Sequence, residues 1–163
     1  LDAGPIMKQF KVKILDSSTS EDISNNLSQI GSEVIVDILD EIFDEKSEFI
    51  DQNHKLATYA KKIKKSEGNI DWNESAKKIL AKINGLNPDP GAWFIHKETR
   101  YKIWRAKISE KMGMPSKILN NNFIIGCGDK SIEIIEIQKE GKNRLPLKIF
   151  LKGANFKQGD ELK

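Results

Sequence analysis

Cysteine is almost absent: Cys127 is the single one in 163 residues. That excludes an internal disulfide framework and fits a reducing cytoplasm. Flanked by Gly126 and Gly128, Cys127 reads as a small, half-buried packing residue. The two histidines, His54 and His96, lie far apart and share no ligand spacing with it, so no metal site is expected. No apolar run approaches the length of a membrane span. No signal peptide is visible, and the chain opens on Leu1 rather than Met, so a start inside a longer protein is expected. There is no phosphate-cradling glycine loop, no nucleophile motif, no internal repeat and no low-complexity tract.

What is present is a soluble globular composition, 38% hydrophobic and 31% charged. The length suits one domain, or a small domain plus a piece. The net charge of +3 hides an asymmetry. Residues 1–48 hold 4 Lys+Arg against 11 Asp+Glu, a balance of −7, while 49–163 hold 23 against 13, a balance of +10. Such a split suggests two regions with different partners. The basic region is either the footprint of a polyanion, most often nucleic acid, or a solvated lysine-rich surface.

The best-defined local structure is a helix over 74–86. Asp71 or Asn73 can accept from its first free N–H groups, and Glu74 suits the positive end of the dipole. Ala76, Ile79, Leu80 and Ile83 form one apolar stripe, with Lys77, Lys78 and Lys82 off it. Asn87-Pro88 and Pro90-Gly91 stop the helix. Upstream, Phe10, Val12 and Ile14 alternate as a half-exposed strand. After a polar loop over 16–20 comes a capping-box pattern, Ser18 with Glu21 or Thr19 with Asp22. Ile23, Leu27, Ile30, Val34, Ile38 and Ile42 then carry an amphipathic helix to about Phe43. One strand and one helix cannot fold alone, so this piece reads as the edge of an α/β sheet. Residues 49–66 show little apolar periodicity and carry Lys55, Lys61, Lys62, Lys64 and Lys65, either as a solvated connector or as an arm against a phosphate backbone.

Beyond Trp93 the chain turns to β. Trp93 to His96 and Tyr101 to Ile108 flank Lys97-Glu98-Thr99-Arg100, which suits a four-residue hairpin loop. The second strand changes parity after Ile103, so a bulge or two-sided burial is expected. Short strands at 116–119, 123–126 and 132–137 suggest a small OB-like β-barrel. A short helix over 145–153 and a tail over 156–163 follow. Trp93, Tyr101 and Trp104 either stack on RNA bases or fill the barrel core, and the core reading is favoured. Trp72 reads as the structural anchor of the helix start.

Thr58-Tyr59-Ala60-Lys61-Lys62-Ile63, Gly68-Asn69-Ile70-Asp71-Trp72 and Asn87-Pro88-Asp89-Pro90-Gly91-Ala92 together resemble the C-terminal part of methionyl-tRNA formyltransferases. Leu1-Asp2-Ala3-Gly4-Pro5 is similar to the loop that carries that family's catalytic aspartate. Asp89 departs from the family, which often has an aromatic residue there. The resemblance implies an α+β chain of three parts. Residues 1–48 are the incomplete end of a Rossmann-like formyltransferase domain, 49–68 a basic linker, and 69–163 an OB-like tRNA-binding domain. It implies formyl transfer from 10-formyltetrahydrofolate to the amino group of methionyl initiator tRNA, without a metal. The complete enzyme would be a cytoplasmic monomer. Asp2 is then the catalytic candidate, although an Asp before Gly-Pro read alone is a turn cap. The family's partner asparagine and histidine lie upstream of the matching aspartate, so the 163-residue chain alone is expected to be inactive. Neither His54 nor His96 matches a catalytic position. The tRNA-binding candidates are Lys55, Lys61, Lys62, Lys64, Lys65, Lys77, Lys78, Lys82 and Arg105, because duplex RNA is held mainly through phosphates and shape. Two alternatives stand beside this reading: a stand-alone RNA-binding module without catalysis, and a fragment of a sugar-nucleotide formyltransferase.

Overall fold

Apolar alternation in the second half of the chain builds one antiparallel sheet with a helix on it. A computed structural model describes residues 2–163. Strands β1 (Ala92–His96), β2 (Thr99–Ser109), β3 (Ile124–Gly126), β4 (Ser131–Lys139) and β5 (Arg144–Pro146) make a five-stranded sheet. Its order is β1-β2-β4-β3, with β5 also pairing to β4. Helix α1 spans Ser20–Phe43, α2 Ala76–Gly85 and α3 Leu147–Phe150. No described helix is long and apolar enough to cross a membrane.

The expected barrel is not formed. Closure needs the two outer strands to pair, and β1 and β3 do not. The expected strand at 116–119 makes only isolated bridges, Ile118 to Ile125 and Lys117 to Glu161. The expected tail is not free either. Ile95 and Lys163 exchange backbone hydrogen bonds at 2.5 and 2.8 Å, and Leu162 is buried. Two irregular segments therefore occupy the space that a closing ladder would need.

The hairpin loop is two residues, not four, because His96 pairs with Thr99. Lys97 and Glu98 both take positive φ, 46° and 63°, as a tight hairpin matched to strand twist requires. The expected bulge is present, with register shifts on both sides of Arg105. It moves burial from Tyr101 and Ile103 to Ala106. Part of the expected 145–153 helix is instead β5, which leaves α3 one turn long.

Helix α2 buries its whole stripe, Ala76, Ile79, Leu80 and Ile83, against β2 and β4. Burial of each large aliphatic side chain stabilises by about 1.5–3 kcal/mol. Its cap is Ser75, whose Oγ accepts from Lys78 N at 3.3 Å, and not Asp71 or Asn73. Asp71 closes a turn just upstream, accepting from Asn73 N at 3.0 Å. Asp129 adds a second cap, accepting from Ala76 N at 2.7 Å. Trp72 is buried and meets Phe94 edge-on at 6.0 Å, while Phe94 stacks on Tyr101 at 5.4 Å.

The chain divides into two compact units. One comprises the described residues up to Leu15 together with Asp22–Lys62; the other comprises Asp16–Glu21 and Ile63–Lys163. In the first unit the expected strand at Phe10 to Ile14 does not form, so the expected α/β edge is reduced to a helix. The nearest thing to a ladder is one bridge between Ile6 and Ile50. A lone segment without a neighbour has no ladder to join. Helix α1 forms as expected but buries no residue, and it exposes Leu27, Ile35, Val36, Leu39 and Phe43.

Candidate nucleic-acid interface

Side chains alternate across a strand, so the residues left over from the core of β1 and β2 share the opposite face. Trp93, Lys102 and Gln138 are neighbours across three strands, through the pairs Trp93–Lys102 and Lys102–Gln138. Trp104 lies on the same face of β2, half-buried, and its Nε1–H donates to Gln138 Oε1 at 2.9 Å. Lys102 Nζ sits 4.1 Å from the Trp104 ring centroid and the Arg144 guanidinium 4.7 Å from it. Arg100 lies over Trp93 at 5.6 Å. Lys65, Asp89, Trp93, Arg100 and Lys102 line a cleft of about 280 Å3 on this face.

Two glycines make the arrangement possible. A Cβ on Gly68 would stand 2.8 Å from Trp93 Nε1, which donates to the Lys65 carbonyl at 3.3 Å. Gly91, at φ 78°, leaves the room that the Lys102 side chain fills. Lys102 is pinned further by a hydrogen bond from Nζ to the Pro88 carbonyl. Burial is the main reason its pKa falls below the usual lysine value; nearby Arg100 and Arg144 push the same way and Asp89 opposes. Arg100 pairs with Glu140 at 2.8 Å, and Arg144 pairs with Glu136. Trp93 and Trp104 are thus half-exposed members of a cation-lined face. The core reading is corrected for both and holds for Tyr101.

The residues singled out from the sequence are scattered. Asp2 is exposed at φ 58°, and its carbonyl accepts from Gln52 Nε2 at 3.0 Å. Its carboxylate makes no hydrogen bond or ion pair among the described residues. Leu1, named with it, lies outside the described residues. Lys55 belongs to a short turn capped by Asn53. Lys61, Lys62, Lys64 and Lys65 are all exposed, and the boundary between the two units falls between Lys62 and Ile63. Lys77 and Lys78 are exposed on α2. Lys82 is committed locally, donating to the Asn69 carbonyl at 3.1 Å with Glu74 at 3.8 Å. Arg105 sits in the β2 bulge with Nε 3.8 Å from Glu136. Of these, Lys65 alone lines the Trp93 cleft. Sequence reasoning missed Arg100, Lys102 and Arg144. The parity of Arg100, Lys102 and Trp104, opposite to Tyr101 and Ile103, was the signal that could have found the first two.

Residues 62–155 match the family described as "Formyl transferase, C-terminal domain". The methionyl-tRNA formyltransferase of Pelagibacter ubique is 44% identical over 163 residues, covering 99% of this chain and 53% of that protein. The enzyme of the same name from Carboxydothermus hydrogenoformans is 35% identical over 158 residues, covering 94% and 51%. The chain thus spans about half the length of the curated relatives it matches. Among solved structures, HypX from Aquifex aeolicus in complex with tetrahydrofolic acid superposes with a TM-score of 0.72 at 18% identity, covering 99% of this chain and 31% of that one. An N-formyltransferase from Helicobacter canadensis, solved with folinic acid and dTDP-3-aminofucose, gives 0.64 at 19%, covering 85% and 51%. At these identities the solved structures speak to fold alone.

Proposed function

Because this chain belongs to the formyl transferase C-terminal domain family, we propose that it is the C-terminal part of a methionyl-tRNA formyltransferase. The observation that carries the reading is the 44% identity to one such enzyme along essentially the whole chain. In this reading residues 1–48 end the catalytic domain, 49–68 form a basic linker and 69–163 hold the tRNA, and the complete protein is a cytoplasmic monomer. The complete protein moves a formyl group from 10-formyltetrahydrofolate to the α-amino group of methionine on initiator tRNA.

The part of this chain in that reaction is to hold the tRNA. Lys55, Lys61, Lys62, Lys64, Lys65, Lys77 and Lys78 present exposed ammonium groups, and the balance of +10 over 49–163 is the field a phosphate backbone meets. Lys82 and Arg105 have carboxylate neighbours and contribute less. Arg100 and Arg144 lie on the Trp-bearing face, and because they pair with Glu140 and Glu136 they too contribute less than the exposed lysines. Asp2 is the proposed acid–base group, handling the proton of the attacking amine. The residues around it do not make a folate site on their own: Asp2 is exposed and its carboxylate has no partner among the described residues.

Formylation kinetics on methionyl initiator tRNA with the complete protein, alongside tRNA binding by the 163-residue chain over a salt series, test the reading. Absence of formyl transfer by the complete protein would overturn the enzyme assignment. Absence of salt-dependent tRNA binding by this chain would overturn its assigned part.

A further inference from the structure

A second cleft, of about 380 Å3, opens in the same unit where the ends of β1 and β4 meet α3 and the segment that follows it. Its floor is aromatic. His96 and Phe156 lie with ring centroids 4.5 Å apart, Tyr101 meets Phe156 edge-on at 5.1 Å, and Tyr101 meets Phe150 edge-on at 5.9 Å. Tyr101, Phe150 and His96 are buried. His96 Nε2 makes no hydrogen bond; the nearest carboxylate, Asp160, stands 3.4 Å away and is not part of the cleft wall. The rim is cationic. Lys97 in the β1–β2 turn, Lys139 at the end of β4 and Lys142 in the β4–β5 turn all line the opening, and no Asp or Glu does. None of the three lysines makes an ion pair among the described residues.

These features narrow the ligand. Three unpaired ammonium groups around one opening repel each other, and an anion removes that cost. A floor of ring faces and edges takes a flat ring. The volume is in the range of small-molecule sites. The surrounding region carries +10, which draws the more highly charged anion first, and a phosphate monoester carries about −1.5 to −2 where a carboxylate carries a single charge. We propose that this cleft binds a nucleobase carrying a phosphate, with the ring against Phe150 and Phe156 and the phosphate at Lys139 and Lys142. The ligand is a free mononucleotide or an unpaired nucleotide of an RNA strand. The RNA form rests on the tRNA reading above; the mononucleotide form does not.

The experiment is an amide-shift titration of the 163-residue chain with four probes. These are adenosine 5′-monophosphate, inorganic phosphate, a single-stranded oligoribonucleotide and a blunt RNA duplex of the same length. Saturable shifts are expected at Lys97, Lys139, Lys142, Phe150 and Phe156 with the mononucleotide and the single strand. The mononucleotide should bind about fivefold or more tighter than phosphate, the scale of one base–aromatic stack. The double variant K139A/K142A changes only exposed residues and should weaken nucleotide binding roughly tenfold or more. The F156L variant should weaken the nucleotide and leave phosphate binding unchanged. A single strand that binds more tightly than the mononucleotide assigns the site to RNA, and the reverse order assigns it to a free nucleotide. Phosphate binding as tight as the nucleotide, equal shifts with duplex, or no shift at these residues would each overturn the proposal. The tRNA reading is tested separately at Lys61, Lys62, Lys64 and Lys65, none of which lines this cleft.

Discussion

Replacing Lys61, Lys62, Lys64 and Lys65 together by alanine should flatten the salt dependence of tRNA binding without lowering stability. All four side chains are exposed, and none makes an ion pair or a side-chain hydrogen bond among the described residues. The bonds in this stretch use its backbone instead: Lys64 N donates to Glu67 at 2.6 Å, and the Lys65 carbonyl accepts from Trp93. Alanine keeps both. Each lost phosphate contact should reduce the slope of log K against log salt by about 0.7–0.9, so four contacts remove about 2.8–3.6. Over a fourfold rise in salt, that difference is roughly 50- to 150-fold in affinity. The loss should be similar for initiator and elongator tRNA, because phosphate contacts position the ligand and do not read sequence. Fluorescence titration of the full 163-residue chain from low to physiological salt measures the slope, and a thermal melt checks the fold. The full chain is the right material. Ser20 Oγ donates to the Gly85 carbonyl at 2.6 Å and Asn84 Nδ2 to the Asp16 carbonyl at 2.8 Å, so a truncation at residue 49 would strip contacts from the end of α2. An unchanged slope in the four-lysine variant would mean that these lysines are merely solvated and that tRNA is held elsewhere.

In the complete enzyme, Asp2→Asn should lower formylation turnover by about two or more orders of magnitude, the scale of a lost acid–base group; near-normal steady-state turnover would remove Asp2 from the mechanism. Phe94→Ala should destabilise by about 3–5 kcal/mol because Phe94 is fully buried, whereas Trp104→Ala should cost only about 1–2 kcal/mol for two lost cation–ring contacts. Urea melts that rank the two the other way would contradict the placement of Trp104 on the outer face. Burial pushes the Cys127 thiol pKa up to about 12, with nearby Asp129 adding to it, so the native protein should not react with a thiol reagent at pH 8 and the unfolded one should; fast native labelling counts against the burial. Asp129 has a lowered pKa, first through the hydrogen bond from Ala76 N and then through that from Lys130 N. Its stabilising contribution is therefore present above the unfolded value of 3.8 and is lost as pH falls through the lower folded value. The variant Asp129→Asn should show a shallower loss of melting temperature between pH 5 and 2, and parallel curves would remove Asp129 from the acid response.

Periodicity was enough to read the helices and most strands. The α2 stripe, the helix from Ser20 to Phe43, the hairpin pair and the bulge after Ile103 all follow from spacing that local sterics impose. The same spacing also suggested strands at Phe10 to Ile14 and at 116–119 that do not form. A strand exists only when another strand completes its hydrogen bonds, and no local rule supplies that partner. The cap of α2 shows the same limit at a smaller scale: Asp71 is the nearer acid in sequence, but Asp129, 53 positions after Ala76, reaches its N–H.

The charge asymmetry and the family motifs belong to the sequence, because composition and residue order need no coordinates. Which cations gather was decided by tertiary structure. Pairing β1, β2, β4 and β5 in register set Arg100, Lys102 and Arg144 over Trp93 and Trp104. Closure of the sheet was also a tertiary matter. It depends on whether the two outer strands meet, and here the segment ending at Lys163 bonds to the free edge of β1 instead. Strand count and turn spacing are the same for an open sheet and a closed one, and only the position of that last segment separates them.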